Sequence, residues 1–222
     1  MSESLPGAPP TSATRQQLWW FDLTRGRWAA LAVLRRRLGS RALLRLAATL
    51  ARLELGPDPL AALAPPLDRR EELTRAQLRP VLLLDAALAA RGHDSAARLE
   101  LLRAVVGESG AAFLGHELRG WTRARFQALD PAGREGVLRD LLARFFNMHA
   151  HPVADEAHDL GFDVGACLFA QLTQRLGRPE LATLFCAADE VFFARPESPL
   201  RLERTETLAE GHSRCAFRLD FA

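Results

Sequence analysis

Three cysteines, at positions 167, 186 and 215, are the side chains best suited to covalent chemistry in this sequence. A thiolate is the reactive form, so the surroundings of each sulfur decide its use. Cys167 falls at the start of a predicted helix over 166–176. The positive end of a helix dipole favours an anion there, which makes Cys167 the preferred nucleophile. Cys186 lies in an apolar helical stretch, with Asp189 three residues later on the same face. Cys215 sits in a predicted strand, opposite Glu206 in the expected pairing. A carboxylate beside a thiol serves as general base or proton relay. Each cysteine also has a plain reading as a small core residue, since free Cys is among the most buried types. A further reading makes the three cysteines metal ligands, although spacings of 19 and 29 residues differ from compact zinc modules. His149-x-His151 puts both rings on one face if it forms a strand. The chain has no Lys, which excludes a side-chain Schiff base. It also has no P-loop, G-x-G-x-x-G, G-x-S-x-G or H-E-x-x-H motif, so the sequence calls for no cofactor.

These residues need elements to hold them. The clearest β signal is C-terminal: Leu200, Leu202, Arg204, Glu206 and Leu208 alternate with Arg201, Glu203, Thr205 and Thr207. After Ala209–His212, the residues Cys215, Phe217, Leu219 and Phe221 alternate in the same way. The pattern predicts an antiparallel hairpin with a four-residue loop. Its register sets Glu206 against Cys215, Arg204 against Phe217 and Leu202 against Leu219. Two charges then face inward, an arrangement that is costly unless they are paired or used. Ahead of the hairpin, Gly177 ends one helix and Pro179 opens another that runs through Asp189. A short strand is expected around Phe162–Val164.

Residues 28–55 read as helix interrupted at Gly39-Ser40, and 56–66 as a Pro-rich loop. Further helices are expected at 71–91, 95–106 and 109–128, with one more opened by Asp130-Pro131. Residues 1–15 read as a disordered tail. Trp19, Trp20 and Phe21 read as an anchor onto the body. The expected fold class is α+β, a single domain over 16–222. Its helical part covers 16–147 and packs on a small antiparallel sheet within 148–222.

The 222 residues are 48% hydrophobic and 25% charged, enough to bury a core without staples. The net charge is +2. Residues 1–55 carry nine Arg against three acids, and the Arg-rich stretch 41–52 could meet an anionic partner or simply be a solvated face. Nothing marks a nucleic acid as partner, and the sequence leaves the oligomeric state open. No apolar run approaches the ~20 residues of a membrane span. The start lacks a basic n-region and an apolar h-region, and the cysteines are unpaired, so a cytoplasmic location is expected.

From about 162 to 221 the chain resembles the bacterial L-2-amino-thiazoline-4-carboxylic acid hydrolases. The resemblance rests on Cys167, then Leu176-Gly177-Arg178-Pro179-Glu180-Leu181, then Cys186-Ala187-Ala188-Asp189. Arg204-Thr205-Glu206-Thr207-Leu208-Ala209-Glu210-Gly211 and Cys215-Ala216-Phe217-Arg218 follow. Two departures stand out: the family's Asp in the last motif is Ala216 here, and its Thr before the first Cys is replaced by Gly165 or Ala166. The resemblance implies hydrolysis of a C–N bond in a small cyclic amidine such as an aminothiazoline carboxylate. Cys167 would be the nucleophile, or a water would be activated in its place. Asp189 or Glu206 would be the acid/base and Arg204 the carboxylate clamp, with Cys186, Cys215 and Phe217 lining the substrate pocket. More distantly, the same tail resembles the vinyl-4-reductase-like ligand-binding domains, which would make the protein a non-catalytic small-molecule binder.

Overall fold

The computed structural model describes residues 25–222. The expected tail at 1–15 and the aromatic anchor Trp19–Phe21 lie outside the described residues. Helix α1 (Arg27–Glu54) changes course at Gly39, whose φ of +76° only glycine adopts freely, as the sequence led one to expect. Helix α2 (Arg69–Ala90) starts where the Asp68 carboxylate accepts the Glu71 N–H, and α3 (Ser95–Glu117) where Asp94 does the same for Ala97. The short α4 (Arg123–Gln127) is capped by Thr122. Helix α5 (Pro131–Leu142) is capped by Asp130, with proline at its first position.

The two helices expected at 95–106 and 109–128 are instead one long helix, α3, and the five-residue α4. Glu108-Ser109-Gly110 does not break the helix, because its glycines meet a partner. A β-carbon at Gly107 would stand 3.1 Å from Val191, and one at Gly110 would collide with that of Ala188. Tertiary contact overrides the poor helix propensity of glycine here.

The sheet has four antiparallel strands in the order β1-β2-β4-β3: β1 Met148–Pro152, β2 Leu160–Cys167, β3 Leu200–Glu203 and β4 Cys215–Phe221. Strand β1 was not foreseen, and β2 is longer than expected. Between β2 and β3 run α6 (Leu168–Arg175), a 3-10 turn at Pro179–Leu181 and α7 (Ala182–Phe193). The expected hairpin is present in part. Leu202 does pair with Leu219, but β3 stops at Glu203, and residues 208–210 form a 3-10 turn. Arg204 and Glu206 therefore lie beyond the ladder. The fold is α+β.

One sheet face carries Leu160, Phe162, Val164, Cys215, Phe217 and Leu219, packed with Leu114 of α3, Leu138 of α5 and Phe192 of α7. The Phe162 and Phe217 rings stack with centroids 4.5 Å apart. A second buried cluster joins α1, α2 and α3 to α6 and α7 through Leu34, Leu78, Leu88, Leu102, Leu172 and Leu184. Buried carboxylates tie these layers together. Glu71 of α2 receives Arg75 at 2.5 Å and Arg175 of α6 at 3.2 Å. Asp85 of α2 receives Arg98 at 2.8 Å and Arg178 at 2.9 Å. Pairing on this scale is what makes buried charge tolerable.

Candidate functional site

The inner face of the sheet, α7 and α1–α3 line a cavity of about 750 Å³ that opens to solvent and is walled mainly by Leu, Val, Phe and Ala. Cys167, Cys186, Asp189, Arg204, Cys215 and Phe217 all line it. Six of the seven residues singled out in the sequence thus converge on one space, although they come from four separate segments.

Arg204 is the organising group. Its side chain is 6% exposed, and its Nη1 donates to Asp189 Oδ2 at 2.5 Å. Nη2 donates to the Cys186 carbonyl at 3.3 Å and stands 3.6 Å from Glu190. The guanidinium lies 5.1 Å from the centre of the Phe217 ring, a cation–π contact that fixes its plane. The sequence reading paired Arg204 with Phe217 across a ladder. The contact exists, made by the side chain from a loop instead. Burial pushes the Asp189 carboxyl up to about 6, against the pull of Arg204 and with a push from Glu190. A carboxylic acid that titrates near neutrality beside a fixed cation is a competent proton carrier.

The thiols are less activated than their positions suggested. Cys167 caps α6, and burial raises its pKa, while the nearby amides of Phe169 and Ala170 pull the other way. Burial pushes Cys186 up to about 12, with Arg204 opposing. Cys215 is also raised by burial, although the Leu208 N–H donates to its sulfur at 3.2 Å. The three sulfurs and Asp189 are near enough that ionising one disfavours the others. Desolvation outweighs the helix dipole at Cys167, so the resting state is three thiols. Among the described residues no three His, Cys, Asp or Glu side chains are grouped so as to hold a metal ion. His149 and His151 lie on the exposed face of the edge strand β1.

Glu206 is the exception. With β3 ending at Glu203, its carboxylate turns away from Cys215 and pairs with Arg214 at 3.2 Å. Arg214 in turn holds buried Asp163 at 2.6 Å, and Arg218 bridges Asp163 at 3.0 Å and Asp155 at 2.8 Å. This chain of five charges covers the sheet face opposite the cavity. Ala216 lies there too, directly across the ladder from Asp163. The departure at position 216 therefore changes the outer face and leaves the cavity lining as it was. Glu206→Gln is accordingly expected to leave any turnover within about two-fold, since an exposed ion pair contributes ~0–1 kcal/mol. A steady-state assay checks this, and a hundred-fold loss would return Glu206 to the site.

The sequence reading missed Phe169 and Phe185, whose rings stack in the cavity wall with centroids 3.6 Å apart. Their signal was adjacency, since each lies within two residues of a candidate cysteine. It also missed the wall supplied by α1 and α2, which no motif marks.

No curated protein and no solved structure matches this chain. The profile of the family described as L-2-amino-thiazoline-4-carboxylic acid hydrolase matches residues 87–219, which is more than half of the sequence and takes in α7, the sheet up to Leu219 and every cavity residue named from Cys167 onward. With the convergence of Cys167, Cys186, Asp189, Arg204 and Cys215 on one cavity, the match places the chain: it belongs to the L-2-amino-thiazoline-4-carboxylic acid hydrolase family.

Proposed function

We propose that the protein hydrolyses a C–N bond of a cyclic amidine that carries a carboxylate. The observation that carries this reading is the Arg204–Asp189 pair, held at 2.5 Å within an apolar cavity. An amidinium carboxylate is a zwitterion, and the pair is its complement. Arg204 keeps donors for the substrate carboxylate beyond the one given to Asp189. Asp189 faces the amidine.

In the hydrolytic step Asp189 accepts a proton from a water molecule as its oxygen bonds to the amidine carbon. The tetrahedral centre then collapses. The C–N bond breaks, its electron pair goes to nitrogen, and nitrogen takes the proton back from Asp189. One water is consumed and Asp189 is regenerated. In the covalent variant the Cys167 sulfur adds first and passes its proton to Asp189. The ring C–N bond breaks as that proton goes to the leaving nitrogen, and water then cleaves the bond from the substrate carbon to the Cys167 sulfur, returning a proton to the thiol. The raised thiol pKa values favour the water route.

The test is incubation of the purified protein with 2-amino-thiazoline-4-carboxylic acid at pH 5–9, followed by mass spectrometry. The expected product is heavier by one water. Absence of any such product across that range, from this compound and from its alkylated derivatives, overturns the hydrolase reading. Cys167→Ala is expected to keep turnover within about ten-fold, since water and not the thiol is the nucleophile. A loss beyond a thousand-fold would make Cys167 the nucleophile. A second reading, non-catalytic binding of a small molecule, is favoured by the extent of the apolar cavity. It predicts saturable binding with the ligand recovered intact.

A further inference from the structure

The cavity is much larger than a single-ring amino acid requires. A volume of about 750 Å³ falls within the ~300–1,000 Å³ of sites that enclose drug-sized ligands. Arg204, Asp189 and the three thiols form the largest polar group in its lining, and Arg27, Gln77, Ser109 and Asn147 add scattered polar side chains elsewhere. On the far wall, supplied by α1 and α2, the charged lining residues Glu54 and Arg79 are solvent-facing and satisfy each other at 2.6 Å. Between these ends the lining is Leu34, Leu84, Val105, Phe113, Phe169 and Phe185. A ligand that filled only the polar end would leave this wall in contact with water, without the gain that apolar burial gives.

Resting on the proposed hydrolase reading, we infer that the substrate is an amphiphile. Its amidine–carboxylate head sits at Arg204 and Asp189, and an apolar extension the length of an alkyl chain or an added aromatic ring runs toward α1 and α2. The exposed side of Ala76 and Leu31, which is 43% exposed, marks where the tail end meets solvent. The inference concerns the size and polarity of the ligand, and it rests on the volume and the mainly apolar lining.

The test uses the full chain and three probes: 2-amino-thiazoline-4-carboxylic acid itself and its butyl and octyl derivatives. The chains are attached in separate series to the exocyclic nitrogen and to ring carbon 5. Binding is measured by calorimetry and turnover by product mass. In at least one series affinity is expected to rise about three- to four-fold per methylene, giving an octyl compound more than a hundred-fold tighter than the parent. Ala30→Phe, placed at the partly exposed cavity rim to spare the fold, is expected to reduce that gain and leave the parent compound unaffected. Flat or falling affinity along both series overturns the inference. If the parent is hydrolysed and the octyl compounds are excluded, the inference fails and the hydrolase reading stands. If the octyl compounds bind tightly and no member is hydrolysed, the hydrolase reading fails and the amphiphilic ligand stands.

Discussion

Asp189→Asn is expected to lower turnover by about two to four orders of magnitude, the usual worth of a positioned acid/base. In the unmodified protein the rate should rise with pH through about 6, as the carboxyl gives up its proton and becomes a base. The substitution also has a stability signature of opposite sense. Burial raises this carboxyl from 3.8 to about 6. The folded protein therefore binds more protons than the unfolded chain between those values. The stabilisation is fully present below 3.8 and is lost as pH rises through about 6. At ~1.36 kcal/mol per pH unit, about 3 kcal/mol is surrendered to keep an ionised Asp189 in place at neutral pH. The amide that replaces the carboxyl has no proton to lose, so this contribution to the pH slope should vanish in the variant. Denaturant midpoints of both proteins from pH 3.5 to 8 measure the difference. Parallel curves would show that Asp189 does not titrate as its surroundings dictate, and full activity of the variant would remove it from the mechanism.

Removing the cation is the second large change. Arg204→Met takes away the one group that pulls the Asp189 pKa down, so burial acts alone and the acid limb of the rate profile should move well above pH 6. Substrate binding should weaken by about ten- to a hundred-fold, the loss of a charge-assisted hydrogen bond to a carboxylate. The fold should survive. Cutting one partner from a buried pair ordinarily costs ~3–5 kcal/mol because the other charge is stranded, but Asp189 can neutralise itself by taking a proton. Arg204→Lys separates the two roles. A point charge restores the pH profile, whereas the planar fork that spans Asp189 Oδ2 and the Cys186 carbonyl, and stacks on Phe217, is not rebuilt. Expected, then, is a near-normal acid limb with a raised KM. An unshifted profile in both variants would show that Arg204 does not govern Asp189.

Most of this site was legible in the sequence because its chemistry rests on residues with few bland uses. Arg204 stood out as an inward charge beside a strand and Asp189 as a carboxylate three residues beyond Cys186, but that the two meet is seen only in the fold. Glu206 was misread by extending a strict alternation past the true end of β3. The pattern Leu202–Arg204–Glu206–Leu208 holds, but only Leu202 pairs, since the chain leaves the sheet after Glu203 to form the turn at Leu208–Glu210. A period of two states which residues share a face and does not say where hydrogen bonding stops. The surroundings of the Cys167 thiol were only half legible for a related reason. A helix terminus can be read from neighbouring residues, whereas desolvation depends on Phe169, Phe185 and the α1–α3 wall arriving from distant parts of the chain. The cavity itself left no trace in the sequence, because the same Leu and Val residues would line a solid core.

The glycine seam between α3 and α7 has a mechanical consequence. Where Gly107 and Gly110 let α7 approach, only the short side chains of Ala188 and Val191 stand between the helices, and they have little room to yield. The segment bearing Cys186 and Asp189 is thus clamped on its back side and behaves as a stiff jaw. The opposing jaw is α1, which buries only Val33, Leu34 and Leu46 over 28 residues and turns at Gly39. By that measure α1 is the wall least held by buried packing, and Cys186 and Asp189 stand on the wall held most closely.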